Sequence, residues 1–283
     1  MAEKEYILTA SCQDQSGIIA AITETIADNG CNVVNLAQHT ATDIGMFFIR
    51  VKFSGTDAFS PDTFTESFNV LADKYQMKWQ IHDTAKKKRV AILVSKTSHC
   101  LYELLLKHDG GELDCEIPVI ISNHPDLAHV ATAFHIPFFQ VDPAKGKAEY
   151  EADLNSLLEE YKIDLVVLAR YMQVMSGDFC RKWNNRCINI HHGFLPAFKG
   201  AKPYHQAWKK GVKIIGATGH FATEDLDQGP IIFQDVIRVN DTRSIEEFIT
   251  MGKDVERHVL FESVRRYLAH AVFSFEGRTF VIE

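Results

Sequence analysis

Apolar positions follow one rhythm up to about Arg89 and another after it. In the first stretch, Tyr6–Ala10 has the composition of a strand. Ser16 is placed to cap a helix in which Ile18, Ile19, Ala21, Ile22 and Ile26 recur at helical spacing until Gly30 stops it. Val33–Thr42 and Met46–Phe53 read as a hairpin around Asp43-Ile44-Gly45. Pro61–Tyr75 reads as a second amphipathic helix and Met77–His82 as a closing strand. This order is the βαββαβ plan of a ferredoxin-like domain.

From Arg89 onward the pattern alternates. Val90–Val94, Glu116–Ser122 and Leu165–Leu168 are apolar, β-branched-rich runs of the kind buried on both faces of a parallel sheet. Helical segments intervene at about Ser98–Lys107, Asp126–Ala133 and Ala148–Tyr161, and Ile245–Ala269 forms a long helix near the end. The reading is an α/β chain, with a ferredoxin-like domain over residues 1–84, a linker over 85–89 and a doubly wound, mostly parallel domain over 90–283. Ligands of such sheets sit at the carboxyl ends of strands, which places the Leu168–Met175 loop beside the end of a short strand at Cys187–Ile190.

Composition narrows the function classes. The 283 residues suffice for two domains with cores. A net charge of −7 argues against nucleic acid, and the one basic run, Lys86-Lys87-Lys88-Arg89, reads as a solvated linker. No apolar run approaches the ~20 residues that span a bilayer. Met-Ala-Glu-Lys-Glu lacks the form of a secretory signal, so a cytoplasmic setting is expected, with all six cysteines as reduced thiols. His191 and His192 are adjacent, point to opposite faces of a strand, and do not suggest a metal site.

The candidate chemistry lies at Asn189-Ile190-His191 and Asp227. Strand alternation puts Asn189 and His191 on one face. An amide and an imidazole can donate to a developing oxyanion, and a carboxylate can hold the imidazole or manage a proton. Together they can attack a small carbonyl. No serine or cysteine stands in a nucleophile-elbow context, so a covalent acyl-enzyme has no obvious carrier.

Four segments carry a resemblance: Asn189-Ile190-His191, Leu195-Pro196-Ala197-Phe198-Lys199-Gly200, Gly216-Ala217-Thr218-Gly219-His220-Phe221 and Asp225-Leu226-Asp227-Gln228-Gly229-Pro230-Ile231-Ile232. Over residues 88 to 283 the chain resembles the folate-dependent formyltransferase family. That resemblance implies that Asn189, His191 and Asp227 are catalytic. It also implies a folate pocket formed by Arg170, Met172, Gln173 and Met175 in one loop and Thr223 and Asp225 in another. Arg170 is equally suited to pair with acidic neighbours. The implied substrate is 10-formyltetrahydrofolate, with no separate cofactor.

One departure is informative. Transferases of that family that act on a phosphorylated glycinamide carry a Gly-x-Gly-Ser-Asn type loop, whose bare N–H groups cradle phosphate. The equivalent here, Ser95-Lys96-Thr97-Ser98-His99-Cys100-Leu101, has no glycine, and Lys96, Thr97 and His99 would crowd the nest. Water is then the remaining acceptor. The implied activity is hydrolysis to tetrahydrofolate and formate, supplying formate for purine synthesis and balancing one-carbon folates. Transfer to an amine acceptor is the alternative, and a non-enzymatic amino-acid sensor is a third class. Gly193 is a local departure, because serine is expected there.

Asp14-Gln15-Ser16-Gly17 and Gly30-Cys31-Asn32 resemble the ACT domain, a regulatory module that often pairs with itself and binds amino acids. That implies an effector site at Asp14, Gly17 and Asn32, with glycine or methionine as ligands, and a homo-oligomer. A plain oligomerisation domain is the simpler reading of the same residues.

Overall fold

The computed structural model describes residues 4–56, 59–198 and 202–283. Lys199 and Gly200, part of one motif quoted above, lie outside the described residues. The chain divides into two compact units. One takes the chain up to Lys87 with Ala269–Phe273 and Phe280–Glu283; the other takes Lys88–Leu268 with Ser274–Thr279.

The front unit runs β1 (Lys4–Gln13), α1 (Ile18–Asp28), β2 (Cys31–Ala41), β3 (Met46–Gly55), α2 (Pro61–Tyr75) and β4 (Lys78–Asp83). Its sheet has the order β2-β3-β1-β4, antiparallel throughout. Both the βαββαβ order and the hairpin agree with the sequence reading. In α1, Ile18, Ile22 and Ile26 are buried at four-residue spacing, whereas Ile19 is 39% exposed. The expected Ser16 cap is not formed. Gly17 occupies the cap position at φ +89°, and no side chain caps the helix. Ser60 does cap α2, accepting from the Thr63 N–H ahead of Pro61 in the first turn.

One face of this sheet packs Leu8, Ile49, Val51 and Phe53 against Phe64 and Phe68 of α2 and the isoleucines of α1. On the other face, Phe48 is only 1% exposed, stacked on Phe280 with centroids 4.5 Å apart and meeting Phe273 edge-on at 5.7 Å. These partners come from the carboxyl-terminal hairpin of β12 (Val272–Phe275) and β13 (Arg278–Val281).

The second unit begins at β5 (Lys88–Val94) and continues α3 (His99–Asp109), β6 (Cys115–Ser122), α4 (Ala128–Ala133), β7 (Phe138–Gln140), α5 (Lys147–Glu160), β8 (Leu165–Leu168), α6 (Gly177–Lys182) and β9 (Cys187–His191). It ends with α7 (Pro203–Lys209), β10 (Ile214–Phe221), β11 (Ile231–Arg238) and α8 (Ile245–Leu268). The strand order is β11-β10-β9-β8-β5-β6-β7. The strands from β7 to β9 are parallel; β10 runs antiparallel to β9, and β11 antiparallel to β10. Lys88 and Arg89, expected in a solvated linker, belong to β5. Lys88 reaches over the Tyr267 ring, and Arg89 donates to the Tyr161 carbonyl.

Alternation explains the apolar strands. Ala91 and Leu93 pack with Leu154 and Leu158 of α5, while Val90, Ile92 and Val94 are buried on the opposite face, where α3 and α8 lie. The chain winds outward from β5 to β7, then restarts at β8 on the other side of β5. This is the switch point where strand ends diverge and leave a crevice.

Candidate active site

A cavity of about 550 Å³ opens at the carboxyl ends of β8 and β9, and two polar clusters line it. The first is built on the β9–β10 pairing, which sets Asn189 opposite His220 and His191 opposite Thr218. His191 Nδ1 donates to Asp227 Oδ2 at 3.2 Å, with both side chains under a tenth exposed. His191 Nε2 is buried and, among the described residues, has no hydrogen-bond partner. Asp227 adopts φ +57°, a left-handed conformation that Asp tolerates better than most residues. Burial alone would raise its carboxyl pKa. The hydrogen bond and charge of His191 lead the effects that hold it below the ordinary value instead.

His220 orders the amide. Its Nδ1 lies 2.8 Å from the Phe221 carbonyl and must carry the proton there. Burial lowers its pKa, so the ring is neutral and Nε2 is left as an acceptor. Asn189 Nδ2 sits 3.2 Å from that Nε2 and donates to it. One amide proton is thereby spent, the O/N assignment of Asn189 is set, and the second proton remains for a ligand.

The turn after His191 is held by Thr218, whose hydroxyl donates to the Gly193 carbonyl at 2.9 Å and accepts from the Leu195 N–H at 3.0 Å. Gln234 donates both to that hydroxyl and to the Leu195 carbonyl. A Cβ at Gly193 would come 3.0 Å from His191 Nε2, so glycine there leaves room beside the unpartnered nitrogen. Gly229, before β11, answers a tighter constraint: a Cβ would meet the Phe221 carbonyl oxygen at 1.7 Å.

The second cluster surrounds Glu256 of α8, which is 1% exposed. His99 Nε2 and the Tyr204 hydroxyl each donate to it at 2.9 Å, and Arg170 Nε lies 3.3 Å away. Burial opposes ionisation of Glu256, but His99 and Arg170 more than offset it, and the carboxyl pKa is lowered. His192 stands between the clusters, its ring 5.4 Å from His191 and 6.1 Å from Tyr204. Burial first, and then the Arg170 charge, push its pKa down to about 3. Among the described residues, His99, Cys100 and Glu256 bring potential metal-ligand atoms within 4.8 Å of one another. The Glu256 oxygens are already engaged and burial pushes the Cys100 thiol well up, so the set reads as an ion-pair network.

Of the residues expected to bind folate, Arg170, Met172, Gln173, Met175 and Thr223 line the cavity. Met172 is 62% exposed, Met175 is buried, and Arg170 is turned to Glu256. Asp225 is exposed and is not among the cavity-lining residues. Its carbonyl accepts from the Thr223 hydroxyl and the Gln228 N–H, which shapes the loop that presents Asp227. His220, Glu256 and Tyr204 were not singled out from sequence.

The expected effector residues are not brought together within one chain. Asp14 follows β1 and binds the Gly45 carbonyl at the hairpin end, next to the Gly17 cap. Asn32 pairs with Ser54, which also pairs with Glu5, at the opposite end of the sheet. The eight residue steps from Glu5 to Gln13 separate the two ends by roughly 25–30 Å. The reason is topological: α1 runs back along the sheet between the two loops.

Residues 88–264 match the formyl transferase family, and residues 6–58 match the ACT domain. A formyltetrahydrofolate deformylase of a Synechocystis species is 46% identical over 97% of both chains. One from Bacillus subtilis is 41% identical over 97% of this chain and 92% of its own. The crystal structure of a formyltetrahydrofolate deformylase from Pseudomonas syringae superposes with a TM-score of 0.95 at 40% identity, covering all of this chain and 96% of the other. A glycinamide ribonucleotide transformylase from Symbiobacterium toebii matches at 28% identity and a TM-score of 0.67, over 70% of this chain and 95% of its own. The chain therefore belongs to the formyl transferase family, among the ACT-fronted members whose curated representatives are named formyltetrahydrofolate deformylase.

Proposed function

We propose that the chain hydrolyses 10-formyltetrahydrofolate to tetrahydrofolate and formate, with Asn189, His191 and Asp227 as the catalytic residues. The observation that carries this reading is His191: Nδ1 held by an ionised Asp227, and Nε2 buried, unpartnered and facing the cavity. That arrangement leaves a nitrogen ready to exchange a proton with a reacting group.

With the formyl carbon beside His191, water adds to the carbonyl and passes its proton to His191 Nε2. Asp227 stabilises the imidazolium that forms, and the free Nδ2 proton of Asn189 meets the oxyanion. One such donor is worth about 3–4 kcal/mol. The imidazolium then protonates N10, the C–N bond breaks, and formate and tetrahydrofolate leave. No step calls on a cofactor, because the folate is the substrate. Met172, Met175, Gln173 and Thr223 support folate binding by lining the cavity, and Asp225 supports it through its loop.

The setting we propose is the cytoplasm, where the formate would feed purine synthesis and the reaction would balance one-carbon folates. Among the described residues no helix is long and apolar enough to cross a membrane. The ACT domain supports control by a small amino acid, such as glycine or methionine, in a homo-oligomer. Since Asp14 and Gly17 lie far from Asn32 in one chain, a ligand touching both needs a second copy. Incubating the protein with 10-formyltetrahydrofolate alone and assaying formate tests the activity. Consumption of the folate only when an amine is supplied would replace hydrolysis by transfer.

A further inference from the structure

The 169–176 loop leaves the end of β8, and its residues 171–175 form one wall of the cavity. Met172 and Val174 in that wall are largely exposed, so hydrogen bonds, more than packing, set its course. The Ser95 hydroxyl, just past β5, donates to Asn123 Oδ1 and accepts the Met172 N–H at 2.9 Å. Two consecutive residues of α5 hold the two ends of the wall. The Tyr150 and Tyr171 hydroxyls share a hydrogen bond at the first end. At the second, Glu151 takes both donors of Ser176: Oε1 accepts the N–H at 2.7 Å and Oε2 accepts the hydroxyl. The Ser176 oxygen accepts the Phe179 N–H in turn and so starts α6. Glu151 is buried, and a buried carboxylate is costly unless donors meet it. The donors shown for it belong to the loop, and the hydrolysis above makes no use of it.

We propose that Glu151 is a positioning residue for the folate: acting through Ser176, it fixes the 171–175 wall and sets substrate affinity without touching the reacting atoms. This rests on the deformylase reading. A carboxylate suits the task because both Ser176 groups are donors, and its two oxygens meet them at once. An amide offers one oxygen and turns an NH2 toward the other donor, so one bond is lost. The catalytic trio stands elsewhere, on β9 and in the loop after β10. Arg181 of α6 reaches that loop through Glu224, but both side chains are largely exposed and such a pair holds weakly. Loosening Ser176 therefore disturbs the folate wall and leaves Asn189, His191 and Asp227 in place.

Glu151→Gln in the full chain tests this. Formate release from 10-formyltetrahydrofolate gives KM and kcat, and calorimetry gives Kd for tetrahydrofolate. KM and Kd should each rise about tenfold, the loss of one charge-assisted hydrogen bond, with kcat within about threefold of the parent. Ser176→Ala removes the hydroxyl but leaves that residue's N–H for Glu151, and should raise both constants about threefold. The double variant should be no worse than Glu151→Gln, because the two changes break one contact. A support of the fold alone would lower the melting temperature and the active fraction, and so kcat, at unchanged KM. That pattern in a folded Glu151→Gln overturns the proposal, and so does a double variant whose effects multiply. If Glu151→Gln does not fold, Ser176→Ala decides, and parental KM and Kd there overturn the proposal. A parent that binds tetrahydrofolate but releases no formate sinks the deformylase reading, while the Kd values still report on Glu151.

Discussion

Among the described residues, His191 Nε2 is buried without a hydrogen-bond partner while Nδ1 is held by Asp227, so at the residue scale the first test is to disturb that partner. Asp227→Asn should lower the hydrolysis rate about 10²–10⁴-fold, because a neutral amide neither stabilises the imidazolium nor enforces the Nδ1–H tautomer. Folate affinity, measured by equilibrium titration, should stay within a few-fold; near-parental formate release would remove Asp227 from the mechanism. His192 makes a second prediction. Its native pKa is about 3, from burial first and the Arg170 charge second, whereas an unfolded histidine titrates near 6.5. Above about 6.5 both states are neutral and its contribution is whole. As pH falls from about 6.5 toward 3, the unfolded chain takes up a proton that the native site refuses, and stability is lost. Denaturant unfolding of His192→Asn should therefore depend less steeply on pH across that window than the parent does. The Asn189, His191 and Asp227 trio was legible in the sequence because two of its members share a strand face and all sit in distinctive motifs. The role of His220 was not, although the residue lies in one of those motifs, because it depends on β10 lying antiparallel to β9 in one register. Glu256 was hidden for the same reason: its partner His99 is 157 positions away in sequence.

At the scale of elements, what the sequence shows best is local. The apolar runs of β5, β6 and β8 and the helices between them were readable because a parallel sheet buries both faces of each strand. β7, of three residues, is too short to carry a period, and the antiparallel setting of β10 between β9 and β11 is set by pairing that no local pattern encodes. The Ser16 cap failed because the helix starts one residue later, with Gly17 at its cap. The register of β10 shifts between Gly219 and His220, so the strand bends where it presents His220. The following loop, which carries Asp227, returns so closely that Gly229 touches the Phe221 backbone. Gly229→Ala should cost about 3 kcal/mol or more, since the clash is with backbone and cannot be relieved by a rotamer change. A lowered urea midpoint together with lost activity is expected; a parental midpoint would mean that the loop has slack the structure does not show.

At the scale of the whole molecule, the chain's last residues return to the front unit. The periodicity of residues 1–84 describes the helix-covered face of that sheet but says nothing of what covers Phe48, because the cover, Phe273 and Phe280, lies some two hundred residues further on. Phe280→Ala should destabilise the protein by about 3 kcal/mol, the lower end for a buried phenylalanine, read as a shifted denaturation midpoint. No change would mean that Phe48 finds another cover. The account as a whole rests on water as the formyl acceptor. The most direct measurement is turnover of 10-formyltetrahydrofolate in water enriched in oxygen-18, with formate and tetrahydrofolate quantified and the formate examined by mass spectrometry. The account predicts equal amounts of the two products and one labelled oxygen per formate. Tetrahydrofolate appearing without formate, with the formyl group found on an added amine, would contradict it.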